Sequence, residues 1–489
     1  MRMRYLPHDV SNRDSHQLLV ICFTALFHNE IPCKDISRFQ DSFEFLSILT
    51  KGEPKSIISA NVGSGEFMKS LKIATVALGM MSLTACGLGD GSASCSDRFC
   101  LSEQTLELDQ SDIIGSSDFQ SNSVSAQGLL DDLISLTPNL TLVGSLAAPY
   151  VNGAQVQASD ITVSGTKVYV AYNTAGNTQA GAVDVIDIST PTNLKLLQDQ
   201  TFSSMDIHKV AVNGGKLYTA GADANGARLQ RITLDASGKL TSNTESVALP
   251  STADPTIPAY AATSVIVAGS YIYATGGNNG GLSVLNIADM SEKHFLDIPD
   301  ARDISFDSNA SSVYIVTGKT ASANAQVKHV SLTATALGSG NTTLANAQID
   351  EAKSTIQTGA SMQVVTAGYG GARLICIGSG ATLGLASNPV VSGLAASKTT
   401  ANAAAFGGGY MYVANGEAGV SIYSVNVPLI PLGCNLVSIT YLGRLSLGTG
   451  ASVNNVFYTN GYLVAAVGTG GFKIIKVSTS LLSGLLQAL

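Results

Sequence analysis

The sequence predicts an all-β chain closed into a seven-bladed β-propeller, set behind a secretory leader and an acidic tether. Three observations carry that expectation. Charged residues make up only 13% of the 489, against roughly 25% in an average soluble protein. Glycine is abundant, at 49, and Trp is absent. One theme of alternating apolar runs recurs along the chain from Ile161 onward, which is the mark of a repeat architecture.

Residues 1–67 differ in composition from everything after them and carry Cys22 and Cys33 without a periodic pattern. Gly65-Glu66 can be encoded by a purine-rich run resembling a ribosome-binding site just before Met68. The expectation is that residues 1–67 are translated upstream sequence and that Met68 is the start. Residues 68–85 then read as a signal peptide: Lys69 and Lys72 precede a short apolar stretch from Ile73 to Leu83, and small residues follow. That stretch is too short to span a bilayer as a helix.

Residues 86–137 are rich in Ser, Gly, Asp and Gln and predict a flexible tether. Nine acidic residues face one basic residue, Arg98, between Cys86 and Ser135, so self-repulsion would extend it. The segment from Leu136 on carries 18 acidic and 17 basic residues and is nearly neutral. No basic patch suits nucleic acid. Cys95 and Cys100 lie close together, and an oxidising compartment favours a small disulfide loop between them, with two free thiols, or a metal site that would need further partners, as the alternatives. Cys376 and Cys434 read as buried free thiols in apolar or Gly-rich surroundings.

The propeller is expected over residues 138–480, with 481–489 as a tail. Each copy has an apolar run, a Gly or Asn turn, a second run that usually contains Tyr, and a third run after a gap. The copies begin at Ile161, Val210, Val265, Ile304, Met362, Ala404 and Val453, the fifth being degenerate. Period-two alternation with Asn-Gly or Gly-Gly turns is the hairpin signal. A further short strand between copies, as from Leu194 or Lys293, makes four strands in about 50 residues, the size of a propeller blade. Inserts leave the count open between six and eight. The run from Leu140 resembles the between-copy strands and is expected to complete the last blade, closing the ring. The recurrent Tyr169, Tyr218, Tyr273, Tyr314 and Tyr412 read as inter-blade packing with satisfied hydroxyls.

Two resemblances follow from these residues. Leu83-Thr84-Ala85-Cys86 resembles a lipobox, which implies cleavage after Ala85 and lipidation of Cys86. Gly87, rather than Asp, after that cysteine implies the outer membrane. The first copy, through Gly165, Tyr169, Val170, Ala171, Gly181, Val183, Val185, Asp187, Ile188, Ser189 and Pro191, resembles the LVIVD repeat of bacterial propellers. That family implies an envelope or extracellular setting and no defined activity.

The motifs of chemistry are sparse. His208, His294 and His329 are not in a zinc spacing, and there is no G-x-S-x-G elbow. The Gly-rich runs at Gly276 and Gly368 read as hairpin loops, and Asp223-Ala224-Asn225-Gly226 as a turn. Neither a cofactor nor a metal is expected. Aligning the copies places Asp160, His208, Lys209, Arg302, Asp303 and Asn402 near the starts of inner strands, at the mouth of the central channel, as candidate binding residues. The expected function is a non-catalytic, lipid-anchored scaffold that binds a protein or polymer through its loops. A subunit of an outer-membrane assembly complex is the second reading, and a propeller hydrolase or lyase the third.

Overall fold

The computed structural model describes residues 94–110 and 137–478, with interruptions at 97, 177, 192, 308–310, 319–323, 332–341, 344–353, 360, 378, 427–433 and 435–436. The expectations for residues 1–67, the signal peptide, Cys86 and the tail 481–489 lie outside the described residues.

Seven antiparallel sheets ring one axis, so the chain is a seven-bladed β-propeller. Each blade has an inner, a second, a third and an outer strand. Blade 1 is Gln157–Ser164, Lys167–Asn173, Gly181–Asp187 and Lys195–Phe202. Blade 2 is Met205–Asn213, Lys216–Asp223, Gly226–Leu234 and Leu240–Ala248. Blade 3 is Ser264–Ala268, Tyr271–Thr275, Leu282–Asn286 and Glu292–Leu296. Blade 4 is Ala301–Asp307, Ser312–Thr317, Gln326–Ser331 and Thr342–Thr343. Blade 5 is Ile356–Thr358, Met362–Thr366, Ala372–Cys376 and Thr382–Ala386. Blade 6 is Ala403–Gly407, Tyr410–Ala414, Val420–Asn426 and Ser438–Leu445. Blade 7 begins with Asn455–Thr459, Tyr462–Ala466 and Phe472–Ser478. Its outer strand is Asn139–Leu146, paired antiparallel with Phe472–Ser478, so the run from Leu140 closes the ring as expected.

Strand alternation explains where the core sits. Successive side chains point to opposite faces of a sheet. In blade 2, Leu217 therefore packs against Val183 and Val185 of blade 1, while Tyr218 and Ala220 pack against Val265 and Ile272 of blade 3. The same holds round the ring, and the seven apolar clusters of buried residues fall at the seven blade-to-blade interfaces. Tyr169, Tyr218, Tyr273 and Tyr412 are buried in these interfaces. The Tyr169 hydroxyl donates to the Gly238 carbonyl at 2.9 Å, whereas the buried Tyr412 hydroxyl has no protein partner.

Three expectations change. Part of the expected tether belongs to the body: Ser94–Ser96 and Phe99–Leu106 add two further strands outside Asn139–Leu146, making blade 7 six-stranded. Phe99 is buried against the interface of blades 7 and 1, which gives this arm an apolar footing. Cys376 and Cys434 are not free thiols; a disulfide joins them, with 5.7 Å between their Cα atoms, and ties the end of the blade 5 third strand to the loop before the blade 6 outer strand. The degenerate fifth copy has its inner strand at Ile356–Thr358, so the run from Met362 is a second strand. Three residues are too few to show an alternating pattern. Within the arm, Cys100 is disulfide-bonded and the register sets Cys95 directly across from it.

Candidate functional site

The inner strands all run in the same sense, so the disc has two unlike faces. One carries the loops that join successive blades and the loops between second and third strands; this is the connecting face. The other carries the turns between inner and second strands and between third and outer strands.

Near the connecting face, equivalent inner-strand positions are held by Asp160, Lys209, Ser264, Asp303 and Asn455, which pair with Ala171, Ala220, Thr275, Val316 and Ala466 of their second strands. In blades 1, 2 and 4 a β-bulge inserts Ser159, His208 and Arg302 just before this position, which re-aims the side chain that follows. Lys209 Nζ lies 3.5 Å from Asp160 Oδ1 and 3.3 Å from Asp303 Oδ1. Asp160 also accepts from the Val210 amide at 3.0 Å and from the Asn455 side-chain amide. Asp303 accepts from Ser264 Oγ at 2.6 Å and from the Ile356 amide at 3.0 Å. Burial pulls the Lys209 ammonium down, but Asp160 and Asp303 outweigh it and hold it above the usual lysine range.

The structure thus gathers three of the six sequence-predicted residues, Asp160, Lys209 and Asp303, into one network. It engages blades 1, 2 and 4 by side chains and reaches blades 3, 5 and 7 through their partners. The other three residues are engaged elsewhere. Asn402 is buried and donates to the Val453 carbonyl at 2.9 Å, bracing blade 6 against blade 7. His208 Nδ1 accepts from Asn173 Nδ2 at 2.9 Å, and Arg302 pairs with Asp300 at 2.5 Å. Among the described residues no group of three His, Cys, Asp or Glu side chains is placed to hold a metal ion.

Sequence reasoning missed two features. The first is the anchorage of the arm. Arg98 makes a bidentate pair with the buried Asp184 of blade 1, at 2.6 and 3.1 Å, and also reaches Asp199 at 2.5 Å and the Ala147 carbonyl at 2.9 Å. Burial pushes the Asp184 carboxyl up to about 6, against the opposing pull of Arg98 and Tyr172. At the other end of the arm Asp109 pairs with Arg444 of blade 6 at 2.7 Å. The second is an asymmetry of exposure. The exposed large hydrophobic side chains among the described residues are Tyr150, Ile257, Tyr260, Tyr369 and Val390, each 42% to 76% accessible. All five sit on loops of the connecting face. Tyr150 is raised on a small hairpin whose turn, Asn152-Gly153, has positive φ at both residues, as a two-residue turn of this hand requires.

On that face Arg228 pairs with Asp223, Arg302 with Asp300, and Lys398 with Glu417, and Asp254 and Asp297 are exposed. The opposite face exposes Lys195, Asp235, Asp289, Glu292 and Lys293. A cleft of about 300 Å³ lies there between blades 2 and 3. Its lining Arg231 is taken up by Glu245 at 2.6 Å and by the Ile287 and Ala288 carbonyls.

No family model matches the chain, and no curated protein matches it. Solved structures similar to it include the WD40 repeats of RRP9, at 12% identity over 68% of this chain and 98% of that one, with a TM-score of 0.49. Hydrazine synthase of Kuenenia stuttgartiensis is similar at 13% identity over 68% of this chain and all of that one (100%), with a TM-score of 0.49. A catalytically inactive virginiamycin B lyase from Staphylococcus aureus is similar at 12% over 70% and 99%, with a TM-score of 0.47. The likeness stops at the fold, and the propeller assignment rests on the seven sheets themselves.

Proposed function

We propose that this chain is a non-catalytic binding scaffold of the bacterial envelope, a lipid-anchored propeller of the LVIVD-repeat kind that takes a protein or polymer partner on its connecting face. The observation that carries this reading is the gathering of Tyr150, Ile257, Tyr260, Tyr369 and Val390 on that one face. Large apolar side chains exposed on one face and not on the other favour that face as the one that meets a partner. Three of the five, Tyr150, Tyr260 and Tyr369, are tyrosines, whose large and rigid amphipathic rings suit contact with a partner. Export is supported by the Cys376–Cys434 disulfide, a bond that persists in oxidising compartments.

The test is photo-crosslinking in intact cells, with a crosslinking amino acid at Tyr260 or Tyr369 and, for comparison, at Lys195 or Lys293 on the opposite face. The reading predicts one discrete adduct from the first pair only, lost when the other four apolar side chains of the connecting face are changed to Ser. Adducts from the opposite face alone, or adducts indifferent to those changes, would refute it.

A further inference from the structure

We infer that Lys209 and Asp303 condense to an isopeptide bond, a covalent cross-link that the chain makes by itself between the inner strands of blades 2 and 4. The network near the connecting face holds both partners of an amide and a third group able to carry a proton between them. Lys209 Nζ stands 3.3 Å from Asp303 Oδ1, and the atom it attacks is the Cγ that bears this oxygen. Groups held in contact in this way react as though at very high concentration. The carboxyl is fixed at both oxygens. Asp303 Oδ2 accepts from the Ile356 amide at 3.0 Å, and Oδ1 accepts from Ser264 Oγ at 2.6 Å. The first donor faces the oxygen that gains negative charge when nitrogen adds, and a fixed N–H at that place lowers the barrier. The second faces the oxygen that leaves. Asp160 stands on the other side of the ammonium, 3.5 Å from Nζ, fixed by the Val210 amide and the Asn455 side chain.

The ammonium first gives a proton to Asp303 Oδ1, which sets a neutral amine beside a neutral carboxylic acid. The Nζ lone pair adds to Cγ, and the electron pair of the carbonyl moves onto Oδ2. Asp160 takes a proton from the nitrogen and passes it to Oδ1. The Cγ–Oδ1 bond then breaks, the carbonyl re-forms at Oδ2, and water departs. One ammonium and one carboxylate become one amide and one water, Asp160 ends as it began, and nothing is oxidised or reduced. Two charges leave a buried site where their hydration is lost. The carboxylates also hold the proton on Nζ in the resting ion pair, so its transfer to Asp303 makes the step slow. The bond is independent of what the connecting face binds.

Peptide mapping of the full chain tests this, on protein fresh from cells and again after a week of storage. Trypsin cuts an unlinked chain after Lys209 and after Arg302, and acylation of Nζ removes the first of these sites. The linked chain should give one branched peptide, residues 196–216 joined to 303–319, lighter by one water than the two together. It should grow on storage as the free peptide 196–209 declines. Lys209→Arg keeps a cation between the carboxylates and should give no branched peptide. Asp160→Asn leaves both partners in place and should slow the linking about 100-fold, the usual loss when a proton carrier is removed. Free 196–209 and 303–319 in the stored parent, with no branched species, overturn the bond. A branch from Lys209 to Asp160 overturns the choice of Asp303, and an unchanged rate in Asp160→Asn overturns its part as proton carrier.

Discussion

At the scale of single residues, Lys209 is the group on which most depends. Its ammonium lies between two carboxylates buried at 0% and 4% exposure, so removing it leaves both charges without their shared counter-ion. Breaking a buried ionic contact in this way costs about 3–5 kcal/mol. Lys209→Met is expected to lower the denaturant midpoint accordingly, and Lys209→Met with Asp160→Asn and Asp303→Asn to recover a large part of the loss. Equal midpoints for parent and Lys209→Met would show the network to be ornamental. This network was legible because the repeat superimposes its members: once the copies are aligned, Asp160, Lys209 and Asp303 fall in one column. Arg98 was not legible, because its partners Asp184 and Asp199 stand 86 and 101 residues away and no local spacing links them. The glycines carry another signal that alignment could have shown. Gly371, Gly419 and Gly471 end three equivalent loops at φ of +73°, +93° and +72°, and a Cβ on each would collide with the last carbonyl of its blade's outer strand.

At the scale of elements, strands with both faces buried announced themselves and strands with one wet face did not. Tyr410–Ala414 is buried throughout and reads as an apolar run. Phe99–Leu106 keeps Phe99 buried but exposes Glu103, Gln104 and Thr105, so its composition is that of a tether although its backbone is that of a sheet. Among the described residues, blades 4 and 5 contribute short elements, a two-residue outer strand and a three-residue inner strand. The Cys376–Cys434 bond braces that side of the ring by holding blade 5 to blade 6 across 58 residues of sequence. Closing a loop of that size is worth about 2–4 kcal/mol. The paired Cys376→Ser, Cys434→Ser variant should melt lower by the corresponding margin, and reductant should bring the parent down to meet it. A melting point insensitive to both would mean that the short blades need no brace.

At the scale of the whole molecule, the ring is stable as a circuit: seven apolar interfaces in series, with the last joined to the first by Asn139–Leu146. Removing the chain up to Leu146 exposes the edge of Phe472–Ser478 and opens both interfaces of blade 7. An open, apolar sheet edge recruits other chains. The truncated protein is therefore expected to elute as oligomers or aggregate where the parent is a single species by size-exclusion chromatography. The seven-fold repeat and its closure could be read from the sequence because they are patterns along the chain. The difference between the two faces could not, because it depends on which ends of the strands each loop joins, and only the assembled ring sets Tyr150, Tyr260 and Tyr369 on one side.

The bridge from Lys209 to Asp160 and Asp303 has a last consequence. A ring of blades is in outline a pipe, but here three side chains bolt the bore near one end. By way of blade 2 the bridge ties blade 1 to blade 4 around the ring's centre, so the hole in the middle serves as a rivet.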